Sequence, residues 1–501
     1  MDPARRDTMA DSSNQDPDLR GAAVRGVLWT YAAVATSKLL ALGSTVALAR
    51  ILMREEFGIA IYALTVCALF EFVRGLGVGQ ALIYLRRSEE RTQTAFWLTA
   101  IAGFAFGGLM WGLGPVAADF FRDPRAEGVT RALAPYFPIV GLGLVLDSLL
   151  RKELRFGRRF LPELARALSK TVVSIALALL GWGYWSLIVG HLAGAAALTL
   201  TLWAVVPWRP RLVFDRGEAL ALLGYGKDMV VIAILATVAY RADHLIVGRY
   251  LGPAALGAYA VAVRFPELLV AHTSSMISSV LFPAYAKVES ARQRLGELAI
   301  ESLRIIAAAF VPVAVGLALV AEPLVLGTFG EEWSEAIPLL PWIALYCLLP
   351  ALTRHLGDAL KALGHTRVLV GLSALSATIV LLGMLVVAKS GGGLVEIAAV
   401  LAGGALLRSA LDLWVARHLL GVRFRAAFGA MAPVALSAAS MAAVVLFVGR
   451  WTGGLGDLGE LVALSVVGSV AYIASSLLFQ RRVIDDVLGL MRLAISRDRR
   501  G

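Results

Sequence analysis

RADHLIVGRYLGPAALGAYAVAVRFPELLVAHTSSMISSVLFPAY, residues 241–285, is the stretch that decides how this chain is read. It is apolar enough to cross a bilayer, yet it carries Arg241, Asp243, Arg264, Glu267 and His272. Ionisable groups inside a spanning segment are rare and by default mark a pathway or binding site facing the protein interior. Pro266 removes one backbone hydrogen bond and is expected to kink or break the helix. The stretch also repeats an earlier one. Arg50, Leu52, Phe57 and Gly58 recur as Arg249, Leu251, Leu256 and Gly257 with one constant offset. Each copy joins an odd span to the next by a tight outer turn. Counted in spans the offset is even, so the two copies point the same way across the membrane, and parallel repeats of this kind recur in transporters. The competing reading is a generic outer-turn pattern of the kind short motifs often match.

Working outward, 58% of the 501 residues are apolar and the mean hydropathy is +0.75, far outside the range of a soluble globular chain. Crossing a hydrocarbon core takes about 20 predominantly apolar residues as a helix, and about fourteen such segments with short connections are found. The expected fold class is therefore an all-α integral membrane protein, with no separate soluble domain. The expected organisation is a disordered cytoplasmic tail over 1–20, spans one to six over 21–208, spans seven to twelve over 209–425, spans thirteen and fourteen over 426–480, and a basic cytoplasmic tail over 481–501. The segment 161–181 gives the weakest span signal because Glu163, Arg166 and Lys170 occupy its first half.

A net charge of +11 does not point to nucleic acid, because the basic residues are not clustered as such a face requires. They follow the sides of the membrane. Alternate short loops are rich in Lys and Arg, RKELRFGRRF at 151–160 among them, whereas the outer loop GEEWSE at 330–335 has three acids and no base. That asymmetry places both termini in the cytoplasm. Cys67 and Cys347 each fall within a span, so no disulfide framework is expected, and no cleavable signal peptide is evident.

ARILMREEFGIAIYAL at 49–64 followed by GLGVGQALI at 75–83, RKELRFGRRF, DHLIVGRYLGPAALGAYAVA at 243–262, LFPAYAKVES at 281–290 and FGEEWSEAIPLLPWIAL at 329–345 resemble the polysaccharide flippases of the Wzx type. These share a superfamily with lipid II flippases and multidrug and toxin extruders. The resemblance runs from about residue 21 to 425. It implies two pseudo-symmetric six-helix lobes forming a V-shaped cavity, plus two C-terminal helices. It also implies movement of undecaprenyl-pyrophosphate-linked oligosaccharide repeat units from the cytoplasmic to the periplasmic leaflet of a bacterial inner membrane. Many relatives carry an acid ahead of the Gly-rich stretch where this chain has Arg74, which separates it from any cation-coupling role assigned to that position.

A sugar headgroup bearing a pyrophosphate needs a polar cavity and fixed cations, and Arg suits phosphate through planar, bidentate donors. At ~100° per residue, Arg264, Glu267, His272, Ser275, Ser278 and Ser279 fall within a little under half of the helix circumference. One reading turns this stripe to a cavity with Arg264 as a phosphate partner; the other makes Arg264 and Glu267 a buried structural pair at i, i+3. Lys38, in the middle of span one, costs about 2.5 to 3.5 kcal/mol if left in lipid and so is expected to face a lumen. Arg74 pairs with Glu71 or meets substrate, and Arg241 pins the outer end of span seven or contacts substrate. Glu163, Arg166 and Lys170 are read as anchors on anionic headgroups. Arg354, His355, Asp358, Arg408 and Asp412 are read as packing or snorkelling groups.

No Walker loop, metal-spaced His/Cys cluster or catalytic triad is found, so no enzyme, cofactor or metal is expected. Drive is left to an ion gradient or the membrane potential, the latter worth about 2.3 kcal/mol per charge per 100 mV. The expected partners are the lipid-linked oligosaccharide and membrane lipids, with a polysaccharide polymerase and a chain-length regulator as candidate neighbours; the chain itself is expected to be a monomer. The alternatives are a multidrug or metabolite extruder of the same superfamily and a polytopic glycosyltransferase or polymerase.

Overall fold

The computed structural model describes residues 36–71, 75–85, 88–153, 156–286 and 292–480. Arg74, the tails at 1–20 and 481–501, and the side chains of 226–240 lie outside the described residues. Every regular element among the described residues is a helix. In chain order these are α1 (Thr36–Ala49), α2 (Arg54–Glu71), α3 (Val78–Tyr84), α4 (Glu89–Gly112), α5 (Gly114–Phe121), α6 (Arg125–Ala132), α7 (Tyr136–Lys152), α8 (Phe156–Leu179) and α9 (Trp185–Val205). There follow α10 (Arg216–Pro266), a π-helical turn (Glu267–His272), α11 (Thr273–Ala286), α12 (Arg292–Leu319), α13 (Ala321–Thr328) and a 3-10 turn (Glu331–Ala336). The chain continues through α14 (Leu340–Ala362), α15 (Thr366–Lys389), α16 (Leu394–Leu420), α17 (Phe424–Thr452) and α18 (Gly456–Phe479).

Nine helical stretches among the described residues are long and apolar enough to cross a membrane, and the chain is a multi-pass membrane protein. Expected spans outside those nine fall short for visible reasons. α1 is short, α8 carries Glu163, Arg166 and Lys170, and α14 carries Arg354, Asp358 and Lys361. The second apolar segment of the sequence, residues 58–85, is expected as one span but is not one helix. Helix is described up to Glu71 and again from Val78, and between them Leu76 (φ 46) and Gly77 (φ 69) take left-handed conformations. A side chain at φ > 0 is strained whereas glycine is not, and the Gly-rich GLGVG supplies the break. Spans seven and eight meet at Gly252 (φ 85, ψ −177), where α10 changes direction.

The chain clusters into two compact units, one of Met1–Leu52 with Ile59–Arg241, the other of Met53–Gly58 with Ala242–Gly501. This division falls inside α10, later than the 208/209 boundary read from the sequence. In the first unit α4 packs on α7, α7 on α9, and α8 on α9. Small residues allow the approach: a Cβ on Gly141 would stand 2.7 Å from the Thr99 carbonyl oxygen, and one on Gly103 2.8 Å from that of Phe137. Without a hydrophobic drive between helices in lipid, such close backbone packing is a main source of association. In the second unit α14 packs on α12 and α16, α17 on α12 and α18, and α15 on α16.

The internal repeat is also a contact. Gly58 and Pro253 approach so closely that a Cβ on Gly58 would stand 1.8 Å from the Pro253 carbonyl oxygen, and one on Gly257 would stand 2.2 Å from that of Arg54. The repeat offset carries Arg54 onto Pro253 and Gly58 onto Gly257, so the contact is reciprocal. Around it, Arg54 Nη1 lies 2.6 Å from Glu335 Oε1, and Phe57 stands edge-on to the fully buried Trp333 at 5.1 Å.

Between two candidate spans, Asp123 is buried. Its Oδ1 accepts from Arg125 N (3.0 Å) and Nε (2.9 Å), and its Oδ2 accepts from Arg125 Nη2 (2.9 Å). Burial works against the carboxylate, but the hydrogen bonds and charge of Arg125 outweigh it and hold the group below the usual range. A depressed folded value contributes stability above the unfolded pKa of about 3.9 and loses it as pH falls through the folded value. Asp123→Ala should therefore cost about 1 kcal/mol at neutral pH, modest because Arg125 is partly exposed. In thermal melts of detergent-solubilised protein the gap from the parent should close below about pH 4.

Candidate functional site

A cavity of about 300 Å³ lies inside the first unit, among α7, α8 and α9, with Glu71 from the end of α2. Its lining follows helical spacing. α7 presents Tyr136, Val140, Gly143, Asp147 and Arg151 at steps of three and four, α8 presents Glu163, Arg166 and Lys170, and α9 presents His191, Gly194, Leu198 and Leu202, so each helix gives one face. Gly194 lets α8 and α9 close, since a Cβ there would come within 3.0 Å of the Arg166 carbonyl oxygen.

Charge is organised along this wall as a ladder. Arg151 Nε donates to Asp147 Oδ2 at 2.8 Å, and Arg159 Nε donates to Asp147 Oδ1 at 2.7 Å. Arg159 also lies 3.6 Å from Glu163, whose other oxygen accepts from Arg166 Nε at 2.9 Å. Three guanidinium groups thus share two carboxylates in the ladder; Arg159 stands behind the lining, whose own charged residues are Glu71, Asp147 and Glu163 with Arg151, Arg166 and Lys170. The middle of the ladder is half-buried, with Asp147 and Arg159 side chains each 22% exposed, while the ends open out at 48% for Arg151 and 44% for Arg166. Deeper in the cavity, Tyr136 Oη donates to Glu71 Oε1 at 2.7 Å, and the Tyr136 ring lies 4.8 Å from that of His191. Remaining guanidinium donors at the open ends suit phosphate or carboxylate oxygens. No group of three or more His, Cys, Asp or Glu among the described residues could hold a metal ion.

In the second unit, Pro266 leads into the π-helical turn Glu267–His272. A π-turn spaces its hydrogen bonds five residues apart, which brings residues i and i+5 together. Accordingly Glu267 Oε1 and His272 Nε2 lie 3.6 Å apart, and Ser275 Oγ donates to the His272 carbonyl at 2.7 Å. The uniform ~100° stripe read from the sequence is therefore re-phased after Pro266. Arg264 is exposed on the last turn of α10 and Ser275 on the first of α11, with Glu267 and His272 half-buried between them. Ser278 donates to Asp358, which also accepts from Lys361 at 2.9 Å.

Of the other expected site residues, Lys38 lies on α1 and Arg241 on α10, both half-buried in the first unit. Glu163, Arg166 and Lys170 belong to the cavity wall. His355 does not snorkel: it is 1% exposed and its Nε2 donates to the Ala299 carbonyl at 3.0 Å. Asp412 pairs with Arg408 at 2.9 Å. Sequence reasoning missed Tyr136, Asp147 and His191. Asp147 and His191 each had a signal, being ionisable residues inside an apolar span.

Residues 47–338 match the family described as polysaccharide biosynthesis protein. The succinoglycan biosynthesis transport protein ExoT of Rhizobium meliloti is 31% identical over 300 residues, covering 60% of this chain and 60% of that relative. The lipopolysaccharide biosynthesis protein WzxC of Escherichia coli is 25% identical over 353 residues, covering 69% of this chain and 70% of its own length. Among solved structures, the inward closed lipid II flippase MurJ aligns with a TM-score of 0.73 at 16% identity, covering 91% of this chain and 100% of that one. At that identity the likeness speaks for the fold.

Proposed function

Because the chain belongs to the polysaccharide biosynthesis protein family, we propose that it is a Wzx-type flippase. It carries undecaprenyl-pyrophosphate-linked oligosaccharide repeat units from the cytoplasmic to the periplasmic leaflet by alternating access, in cell-surface polysaccharide biosynthesis. The observation that carries this reading is the charge-lined cavity among α7, α8 and α9. The half-exposed guanidinium groups of Arg151 and Arg166 at the open ends of the ladder, with Lys170 beside them, give an anionic headgroup donors at a depth where lipid alone excludes it. The relatives' names, a transport protein for succinoglycan and a lipopolysaccharide biosynthesis protein, support the same substrate class. Deleting the chain from its host should leave the repeat unit inaccessible to a periplasmic glycosidase; continued exposure of that unit would sink the reading. Dye efflux in a transporter-deficient host would favour an extruder instead.

The proposal includes about fourteen spans, two six-helix lobes with a V-shaped cavity, lobe limits at 21–208 and 209–425, and spans thirteen and fourteen over 426–480. Both termini lie in the cytoplasm of a bacterial inner-membrane monomer, beside a polymerase and a chain-length regulator. It also assigns substrate contact to Arg264, Lys38, Arg74, Arg241, Glu267, His272 and Ser275. Arg264 is the position most open to test, being an exposed cation one helical turn ahead of an irregular one. Arg264→Ala should abolish export with membrane insertion unchanged, and Lys38→Ala should weaken it. Full export by both variants, measured as surface polysaccharide, would remove the cationic route.

A further inference from the structure

We propose that PWRPRLVFDR, residues 207–216, is a strap that docks the first unit onto the anionic headgroup layer of the membrane. The strap leaves α9 after Val205 and enters α10 at Arg216, and it is fastened to the first turns of α4. The fastening is by α4 side chains to strap backbone. Gln93, 1% exposed, accepts from Arg211 N at 2.6 Å and donates to the Arg209 carbonyl at 3.4 Å. Trp97 Nε1 donates to the Arg211 carbonyl at 2.8 Å, and Asp215 N donates to Thr94 Oγ1 at 3.0 Å. Arg91 grips Glu218, just beyond the strap, through two bonds of 2.6 and 3.2 Å.

With the strap backbone held to α4 at Arg209, Arg211 and Asp215, the side chains of residues 211–216 are exposed. Leu212 is 90% exposed, and the neighbouring Val213 and Phe214 are also exposed. Arg209, Arg211 and Arg216 are exposed around them. Three consecutive exposed apolar residues are poorly placed in water, and three guanidinium groups are poorly placed in hydrocarbon. Both are satisfied at the boundary, where apolar side chains enter the acyl region and Arg reaches the phosphates. The strap sits at that boundary by construction. α4 and α9 are both long and apolar enough to cross a membrane, and the strap lies where one begins and the other ends. Trp97, Trp203 and Trp208 lie at the same end: Trp97 donates to the strap, Trp208 of the strap donates to Glu89 of α4 at 3.1 Å, and Arg209 lies over the Trp203 ring at 5.6 Å. Such aromatic residues concentrate at membrane–water interfaces. The occupant is a phospholipid surface, and the inference does not depend on what the protein transports.

The test uses the full chain, in which Cys67 and Cys347 are buried, so an introduced cysteine is labelled selectively. Leu212→Cys carrying an environment-sensitive fluorophore is reconstituted into vesicles of phosphatidylethanolamine and phosphatidylglycerol, with Glu331→Cys as the aqueous control. The label at 212 should be quenched several-fold more by a lipid spin-labelled near the headgroup than by iodide, and the control should show the reverse. Replacing Arg209, Arg211 and Arg216 together by Gln should reduce the lipid quenching and abolish its dependence on phosphatidylglycerol. Equal iodide quenching at 212 and 331, or no effect of removing the three charges, would overturn the proposal. So would shielding of 212 that arises only after adding a membrane-protein extract, since the partner would then be a protein. If Leu212→Cys is not recovered as a monodisperse species, Phe214→Cys supplies the same readout.

Discussion

Alanine at Gly58 or Gly257 is expected to cost about 3 kcal/mol or more, enough to remove most folded protein from the membrane. A single methyl carries this effect because of what it meets. At Gly58 it would stand 1.8 Å from the Pro253 carbonyl oxygen, at Gly257 2.2 Å from that of Arg54, and both are backbone atoms that cannot swing away. Nor can the segments easily part, since Arg54 is held to Glu335 and Phe57 to the fully buried Trp333. The two positions share one reciprocal crossing, so once the first methyl has forced it apart the second has less to destroy. The double variant should cost clearly less than the sum of the singles. Gly316→Ala is the control: it too lies within a helix, but an added Cβ there meets nothing within 4 Å, and alanine should be neutral or stabilising by about 0.5 to 1 kcal/mol. Thermal midpoints after mild solubilisation decide the matter. Similar melting of Gly257→Ala and Gly316→Ala would mean that the crossing is far more compliant than its geometry indicates.

That crossing shows what a sequence of this kind discloses. The shared pattern of Arg50, Leu52, Phe57 and Gly58 with Arg249, Leu251, Leu256 and Gly257 was legible because both copies are continuous in the chain; that they touch each other was not. Helices were legible wherever an apolar run was long, as at α4, α12 and α15 to α18, and also at α8 and α14, where the helix forms although polar groups keep it from being apolar enough to count as a span by composition. Pro266 announced an irregularity, yet a proline does not say whether a helix will kink, stop or widen, and here it leads into a π-turn that pairs Glu267 with His272. Asp147 and His191 were hidden for a different reason. Each stands alone in its own apolar segment, and the wall they line exists only when α7, α8 and α9 are side by side. Charge read along one helix misses partners supplied by another, as Asp147 and Arg159 show.

The second large effect is expected at Asp147, and it separates bracing from binding. Asp147 accepts from both Arg151 and Arg159, so Asp147→Ala strands two guanidinium groups. Breaking a fully buried pair costs about 3 to 5 kcal/mol, and with Asp147 and Arg159 each partly exposed the expectation is about 2 to 4 kcal/mol. Arg159→Ala should cost less, because Asp147 keeps Arg151 and Glu163 keeps Arg166. Arg151→Ala should cost least, its side chain being 48% exposed. The double variant Asp147→Asn with Arg159→Gln removes one charge of each sign and leaves no stranded partner for Arg159, so much of the lost stability should return. Export should not return with it if the ladder receives an anionic headgroup, because a guanidinium has gone from the ladder and amides replace a charged, bidentate donor poorly. Thermal stability and surface polysaccharide measured on the same four variants distinguish the cases. Recovery of both in the double variant would make the ladder a brace alone and would move the substrate's phosphates to other cations, Arg264 first among them.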